Sequence, residues 1–230
     1  MTKIFVDAAD LDEVIRLSRK DFISGITTNP TLMRKSGVSN FEIFAKAVIK
    51  NTKLPISLEV FSDDLDEMYN QALKISAWGE NVYVKIPITN TKGISTCELI
   101  KELTNLKIKL NITAILSRNQ IDKSLESVSP HVESIISIFA GRIADTGLNP
   151  CEFISYALGE SKILKKCEVL WASTREIYNL YQAQKLKCDI ITIPPDLLKK
   201  IEMKDMNLEQ LSLDTVNMFY KDALETGYQI

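Results

Sequence analysis

NVYVKIPIT, at residues 81–89, is a short run that has the pattern of a buried strand but carries a lysine near its centre. Val82, Val84 and Ile86 alternate on one face, while Tyr83 and Lys85 share the other. A lysine in an interior strand loses hydration and rotamer freedom, so its presence there needs a reason. The rest of the chain supplies that reason.

Similar β-branched runs recur along the sequence, and helix-length segments separate them. The predicted strands are 3–7, 22–26, 55–60, 81–86, 108–113, 134–139, 168–172 and 188–193. Segments such as 10–19 and 64–77 place apolar residues at helical spacing. Strand starts lie roughly 20 to 33 residues apart, which is the length that a parallel strand and its crossover helix require.

This alternation fits two α/β architectures, a closed (β/α)8 TIM barrel and an open doubly wound sheet. A nucleotide-binding open sheet favours a GxGxxG or P-loop motif after an early strand, and the chain has neither among its eight glycines. Eight repeats in 230 residues favour the barrel. We therefore predict one domain, 1–230, in which 206–230 form a helical tail.

Composition narrows the function classes. With 28 Lys and Arg against 30 Asp and Glu, the net charge is −2, which argues against a dedicated nucleic-acid binder. No apolar run approaches the length of a membrane span, and the N-terminus lacks the pattern of a signal peptide. Four scattered cysteines and a lone histidine, His131, predict neither a disulfide framework nor a metal site. We expect a cytoplasmic protein with reduced thiols.

Polar residues recur on the strand faces that would point into a barrel. Each lies near the carboxyl end of its strand, where TIM-barrel active sites are built. Three ionisable groups facing one interior are costly unless they have a use. The residues expected to converge there are Asp7, Glu59, Lys85, Asn111, Thr113 and Ser137.

A desolvated lysine beside two acids suggests covalent chemistry. A free lysine amine, with a pKa near 10.4, is almost wholly protonated at neutral pH, and desolvation favours the neutral, nucleophilic form. A neutral amine condenses with a ketone to give a Schiff base, which withdraws electrons and permits an adjacent C–C bond to break. Nearby carboxylates and hydroxyls can move the protons. A purely structural pair between Lys85 and Glu59 remains the alternative.

Six motifs in order resemble the small transaldolases, close relatives of fructose-6-phosphate aldolase. The resemblance extends from Phe5 to about Pro194, nearly the whole chain. The motifs are GITTNPTL (25–32), SLEV (57–60), VKIP (84–87), LNITAILS (110–117), IFAGRIADTG (138–147) and WASTR (171–175). The resemblance implies a class I enzyme on a (β/α)8 barrel that needs no metal or organic cofactor.

The resemblance assigns roles residue by residue. Lys85 corresponds to the Schiff-base lysine, and Asp7 to the acid/base that takes the proton of the substrate C4 hydroxyl. Glu59 and Thr113 resemble the pair that positions a catalytic water and relays protons. Residues implied to bind the hydroxyls of the dihydroxyacetone unit are Asn29, Asn111 and Ser137, and those implied to anchor phosphate are Arg142, Ser173 and Arg175. A helix start just after Ser173 is expected to add free N–H groups to that anchor.

Two positions separate transferase from lyase within the resembled group. Aldolase members have glutamine where this chain has Glu59, and tyrosine where it has Phe139. The combination found here resembles a transaldolase, which implies transfer of a dihydroxyacetone unit from sedoheptulose 7-phosphate or fructose 6-phosphate to an aldose phosphate. The alternatives are a fructose-6-phosphate aldolase-type lyase and an enzyme for an unusual sugar phosphate.

Some features depart from the resembled pattern or leave the assembly open. Ile138 stands where proline is usual, and an inward-facing Trp171 would narrow the mouth. The tail from Leu208 to Tyr228 has apolar residues near helical spacing; it either closes its own barrel or, as in the small transaldolases, packs on a neighbouring subunit in a pentamer or decamer. Two rival functions remain open. A non-catalytic sugar-phosphate-binding barrel would keep Arg142 and Arg175 but would not need Lys85, and an enolising isomerase would use Glu59 as base and Lys85 only as an electrostatic partner.

Overall fold

The computed structural model describes residues 1–227 and has at its centre a closed barrel of eight parallel strands. Each strand pairs with the next along the chain, and the eighth closes on the first through Lys3↔Ile190 and Phe5↔Thr192. The strands are β1 (Lys3–Asp7), β2 (Ile23–Thr27), β3 (Ile56–Glu59), β4 (Val82–Pro87), β5 (Leu110–Ile115), β6 (Ser134–Ile138), β7 (Cys167–Trp171) and β8 (Ile190–Ile193). This confirms the predicted (β/α)8 barrel, and every predicted strand boundary lies within two residues of the observed one.

Helices follow the strands and cover the outside of the barrel. Two helices lie between β2 and β3 and two between β6 and β7, where the predicted strand starts were furthest apart. The helices of residues 1–227 are α1 (Leu11–Ser18), α2 (Pro30–Lys35), α3 (Phe41–Asn51), α4 (Leu65–Ser76), α5 (Cys97–Asn105), α6 (Arg118–Ser127), α7 (Ala140–Asp145), α8 (Pro150–Glu160), α9 (Tyr178–Leu186), α10 (Pro195–Leu198) and α11 (Leu208–Thr226), with 3-10 turns at Ser161–Ile163 and Lys199–Met203.

Several helix starts are fixed by local chemistry. Asp10, Asn40 and Asp64 each accept a hydrogen bond from the backbone N–H three residues later, which satisfies one of the donors left free in a first helical turn. Ser117 forms a full capping box with Gln120. These caps hold the strand-to-helix connections that surround the carboxyl end of the barrel.

The barrel has two hydrophobic cores, one on each side of its wall. The large outer core lies between strands and helices. The smaller inner core fills the barrel itself and consists of Phe5, Tyr83, Ile135, Leu170, Ala172 and Ile190. Gly25 leaves room for the inner core, because a Cβ there would lie 2.4 Å from Cζ of Phe5.

Trp171 belongs to the outer core and not to the mouth. Its side chain is fully buried among the strand–helix contacts, whereas its neighbours Leu170 and Ala172 face inward. Strand alternation is the physical reason, since successive side chains point to opposite faces. Trp171 therefore does not face inward, and it does not narrow the mouth. Ile138 likewise packs in the outer core.

The C-terminal helix α11 stands apart from the barrel core. No residue of Leu208–Thr226 is buried, and Phe219 and Leu224 are more than 60% exposed. The alternative in which the tail closes its own barrel is therefore wrong. The last part of the predicted tail, 228–230, lies outside the described residues. Among residues 1–227, no helix is long and apolar enough to cross a membrane, and no cluster of His, Cys, Asp or Glu is arranged for a metal ion.

Candidate active site

A cavity of about 430 Å³ opens at the carboxyl ends of the strands. Ten of the eleven predicted site residues line it. They are Asp7, Asn29, Glu59, Lys85, Thr113, Ser137, Phe139, Arg142, Ser173 and Arg175. The strands that supply them run from β1 to the segment after β7, so the sequence-distant motifs meet at one mouth, as the barrel topology requires.

Lys85 lies at the floor of this cavity and is only 7% exposed. Its Nζ is 3.0 Å from Glu59 Oε2 on the neighbouring strand, with which it is in register. The same Nζ donates a hydrogen bond to the Thr28 carbonyl oxygen at 3.0 Å. The amine is thus held inside the barrel, beside a carboxylate that can exchange a proton with it.

Asp7 supplies the second carboxylate. Burial raises the pKa of Asp7 above the usual aspartate value, while the nearby Lys85 charge and hydrogen bonds from Thr27 and Asn29 act in the opposite direction. Thr27 Oγ1 donates to Asp7 Oδ1 at 2.8 Å. A carboxyl group whose pKa is raised in a cavity is a candidate for general acid/base work.

Asn29 has the extended backbone that its following proline favours, with φ −155° and ψ 159°. It also caps α2, because its Oδ1 accepts from the Leu32 N–H at 2.9 Å. This capping role was not predicted, although an asparagine followed by Pro30 at the first helical position is a recognisable helix start. With Oδ1 engaged, the amide nitrogen remains as the donor toward the cavity.

Asn111 is the predicted site residue that does not line the cavity. It is fully buried, its Nδ2 donates to Ser57 Oγ at 2.9 Å, and its Oδ1 accepts from Ser137 Oγ at 2.7 Å. Ser137 itself lines the cavity. Asn111 therefore holds the hydrogen of Ser137 away from the cavity, which leaves the Ser137 oxygen to accept hydrogen bonds there.

Thr113 combines burial with an unused hydroxyl. Within residues 1–227, its Oγ1 is buried and has no hydrogen-bond partner. The next residue, Ala114, has φ +60° where the pairing of β5 with β6 shifts register. This bulge lets both Thr113 and Ala114 line the cavity while Ile115 packs in the outer core. A buried hydroxyl without a partner, in the cavity that Lys85 also lines, is suited to a water or substrate oxygen.

The two arginines lie at the rim. Arg142 stacks 5.9 Å from the ring centroid of Phe139, and Arg175 forms a bidentate ion pair with Asp145 through Nε and Nη2. Hydrogen bonds from Arg175 lower the pKa of Asp145. The predicted helix start just after Ser173 is wrong, because α9 begins at Tyr178. The backbone N–H groups of Arg175 and Glu176, before α9, donate to Oδ1 of Asn179 in its first turn.

Gly141 and Ser173 form a close contact that was not predicted from the sequence. Ser173 has φ +63°, and its carbonyl oxygen would lie 1.7 Å from a Cβ at position 141. The backbone after β7 therefore rests on the first turn of α7, next to Arg142. A glycine directly before an arginine of the predicted phosphate anchor was the available signal. Thr27 and Thr192, which also line the cavity, were missed as well.

At the carboxyl end of this (β/α)8 barrel, the Lys85 amine shares a cavity with the Glu59 and Asp7 carboxylates, and two arginines lie at its rim. This arrangement defines a class of barrel site that is centred on a lysine. Comparison with known proteins narrows the class. Residues 4–230 match the family model described as transaldolase/fructose-6-phosphate aldolase. The chain belongs to this family.

Individual relatives agree with that assignment. A protein named probable transaldolase from Brucella melitensis biotype 1 is 31% identical over 233 residues, covering 99% of both chains. Another of the same name from Nitrosopumilus maritimus is 33% identical over 201 residues, 86% of each. Among solved structures, 2-keto 3-deoxygluconate aldolase from Picrophilus torridus is similar with a TM-score of 0.59 at 14% identity, covering 100% of this chain and 89% of that one. That last likeness shows the barrel fold alone.

Proposed function

We propose that this protein is a transaldolase that moves a dihydroxyacetone unit from a ketose phosphate to an aldose phosphate through a Schiff base on Lys85. The observation that carries the proposal is the buried Lys85 amine, 3.0 Å from the Glu59 carboxylate and open to a cavity that also contains Asp7. Sedoheptulose 7-phosphate and fructose 6-phosphate are the proposed donors. Glyceraldehyde 3-phosphate and erythrose 4-phosphate are the proposed acceptors.

Imine formation begins with proton transfer from the Lys85 ammonium. Glu59 is close enough to accept that proton directly, which frees the lone pair for attack on the C2 carbonyl of the donor. Glu59 then returns the proton to the carbinolamine hydroxyl, which leaves as water and gives the protonated imine. Among the described residues the Thr113 hydroxyl has no hydrogen-bond partner, which supports the proposal that Thr113 and Glu59 position the water that leaves and later returns.

C–C cleavage uses the second carboxylate. Asp7 removes the proton of the C4 hydroxyl, the C3–C4 bond breaks, and its electron pair moves into the protonated imine to give an enamine. The aldose phosphate departs, and an acceptor aldehyde adds by the reverse steps, taking back the proton from Asp7. The raised pKa of Asp7 suits a group that must hold this proton between the two half-reactions.

Substrate binding is assigned to the two sides of the cavity. Asn29 and Ser137 are proposed to hydrogen-bond the hydroxyls of the dihydroxyacetone unit. Asn111 orients Ser137, and a direct contact with substrate requires Asn111 to exchange one of its present partners for a substrate hydroxyl. Arg142, Ser173 and Arg175 are proposed to bind the phosphate, for which a guanidinium fork is suited. Phosphate would then replace the Asp145 carboxylate on Arg175.

The choice of transferase over lyase rests on Glu59 and Phe139. A carboxylate beside Lys85 can relay the protons of imine formation without a phenol, and Phe139 offers none. Replacing them together, Glu59→Gln with Phe139→Tyr, should increase release of free dihydroxyacetone relative to transfer. A double variant that releases no more than the parent would contradict this reading of the two positions.

We propose a homo-oligomer because the apolar residues of α11 are exposed. These residues have no cover within the described part of the chain, and burying such a face on a second copy is favourable. A pentamer or decamer, as implied by the family resemblance, is testable by light scattering. A monomer at micromolar concentration would contradict it. The cytoplasmic location predicted from the sequence stays a prediction.

A two-substrate assay tests the proposed activity. Fructose 6-phosphate with erythrose 4-phosphate should yield sedoheptulose 7-phosphate and glyceraldehyde 3-phosphate, with little free dihydroxyacetone. Fructose 6-phosphate alone should give at most slow release. Conversion of fructose 6-phosphate to an isomer without an acceptor would support the enolising isomerase instead, and binding without any turnover would support the non-catalytic barrel.

A further inference from the structure

Three side chains form a continuous chain across the inner face of β1. Thr192 Oγ1 on β8 lies 2.5 Å from Thr27 Oγ1 on β2, and Thr27 Oγ1 lies 2.8 Å from Asp7 Oδ1. Both threonines are buried, 3% and 4% exposed, and both line the cavity. The strands carrying them flank β1 on its two sides, so the barrel closure itself brings the hydroxyls together.

Hydroxyl chemistry sets the direction of this chain. A threonine hydroxyl has one hydrogen, and an ionised carboxylate only accepts. When Asp7 is ionised, Thr27 donates to it, so the short contact with Thr192 requires Thr192 to donate to Thr27. In the opposite direction the Thr192 hydrogen would have no acceptor among the described side chains, and a buried donor without a partner is unfavourable.

We propose that Thr192 is a positioning residue that acts through Thr27 on Asp7. By filling the acceptor position of Thr27, it aims the single Thr27 hydrogen at Asp7 Oδ1, fixes the carboxylate and favours its ionised form. The consequence for catalysis rests on the base role proposed for Asp7. The hydroxyl chain itself does not depend on that role.

The other groups around Asp7 come from different elements, and among the described residues none of them is hydrogen-bonded to Thr192. Lys85 on β4 and the Asn29 amide after β2 favour the ionised carboxylate, and Glu59 on β3 opposes it. A change confined to Thr192 leaves these contributions in place. The charged groups that share the cavity with Asp7 are Glu59, Lys85, Arg142 and Arg175.

The test compares Thr192→Val, which keeps the shape and removes the hydroxyl, with Thr192→Ser, which keeps the hydroxyl. Each full-length variant is assayed for kcat/KM against pH with fructose 6-phosphate and erythrose 4-phosphate, and the Asp7 carboxyl is titrated by 13C NMR. Loss of the hydroxyl should move the Asp7 titration and the acidic limb of kcat/KM upward by about half a pH unit, about threefold in rate on that limb. The serine variant should match the parent.

Each outcome has a distinct meaning. Equal titrations of Asp7 in the valine, serine and parent proteins would overturn the proposal. A shifted Asp7 titration with an unshifted rate profile would support the hydroxyl chain and overturn the base role of Asp7. If Thr192→Val does not fold, Thr27→Val replaces it. That variant removes the direct donor and should shift the titration in the same direction by a larger amount, and no shift there would likewise overturn the proposal.

Discussion

The two ends of the barrel contain cavities that differ in chemistry more than in form. The amino-end cavity is the larger, about 780 Å³ against about 430 Å³ at the carboxyl end. Its charged side chains are largely paired with one another: Lys3 with Glu168 at 2.8 Å, and Lys109 with Glu133 at 2.7 Å. The inner core closes it off from the mouth, since Phe5 and Tyr83 line the amino end and Leu170 and Ala172 the carboxyl end.

The carboxyl end, by contrast, keeps groups that are strained, buried or unpartnered. Ser173 and Ala114 have positive φ, Thr113 has no hydrogen-bond partner among the described residues, and burial raises the pKa of Asp7. Such features lower stability and persist where they serve a site. Neither volume nor a lone unpartnered group distinguishes the two ends, because the hydroxyl of Thr2, just before β1 at the amino end, also lacks a partner among the described residues. What distinguishes the carboxyl-end cavity is that Asp7, Thr113 and the buried Lys85 amine line it together.

The largest expected contrast is between two lysines, one at each end. Lys85→Ala should reduce turnover by at least about 10⁴-fold, because the proposed nucleophile is removed. Binding of fructose 6-phosphate, measured by calorimetry, should largely remain. The matched control, Lys109→Ala at the amino end, should keep turnover within about twofold, since Lys109 makes a partly exposed surface pair. Retained transfer activity in Lys85→Ala would remove the assignment.

A second contrast concerns the rim arginine. Arg175→Ala should raise KM for fructose 6-phosphate about 10- to 100-fold, because charge-assisted hydrogen bonds to phosphate are lost. Inorganic phosphate should inhibit this variant correspondingly less. Lys3→Ala, which breaks an ion pair at the amino end, is the control and should leave KM unchanged. An unchanged KM in Arg175→Ala would show that phosphate binds elsewhere.

Two glycines provide a contrast in backbone contact. Gly141→Ala should destabilise the fold by about 2 kcal/mol and raise KM for phosphorylated donors, because a Cβ would lie 1.7 Å from the Ser173 carbonyl oxygen. Gly159→Ala in α8 meets nothing within 4 Å and should stabilise slightly, as alanine is the better helix former. Thermal unfolding of both variants checks this. Equal melting temperatures would mean that the contact yields without cost.

The smallest expected effect is a stability change at the Asp7 carboxyl. Because burial raises the pKa of Asp7, the folded state favours its protonated form, so the stability linked to this group is present at acid pH and is lost as pH rises through the folded-state pKa. Asp7→Asn should therefore be more stable than the parent at neutral pH, by on the order of 1 kcal/mol, although inactive. The gain should shrink below about pH 4. A variant that melts lower at neutral pH would contradict the account.

Much of the fold could be predicted because the strand pattern is strong. Alternation in runs such as 81–86 assigns inward and outward faces, and closure of the barrel follows from eight βα repeats. Alternation also places Trp171 on the face of β7 opposite Leu170 and Ala172, and the structure shows that this is the outer face. The run 168–172 has apolar residues on both faces, so its pattern left the direction of Trp171 open.

The candidate site could be predicted in its membership but not in its connections. Residues at strand ends converge once the topology is known, which is why Lys85 and Glu59 were expected together. The contact of Gly141 with Ser173 and the hydroxyl chain through Thr192 depend on backbone torsions and on packing between strands distant in sequence. The alternation of side chains along a strand contains no information about either contact. The start of α9 at Tyr178, later than predicted, could not be read from that alternation either.

The most direct test of the central claim is borohydride reduction in the presence of fructose 6-phosphate, followed by mass mapping of the peptides. The account predicts a single reduced dihydroxyacetone adduct on Lys85, absent when the sugar or the borohydride is omitted and absent in Lys85→Ala. An active enzyme that yields no adduct, or an adduct on a lysine outside the barrel mouth such as Lys109, would contradict it.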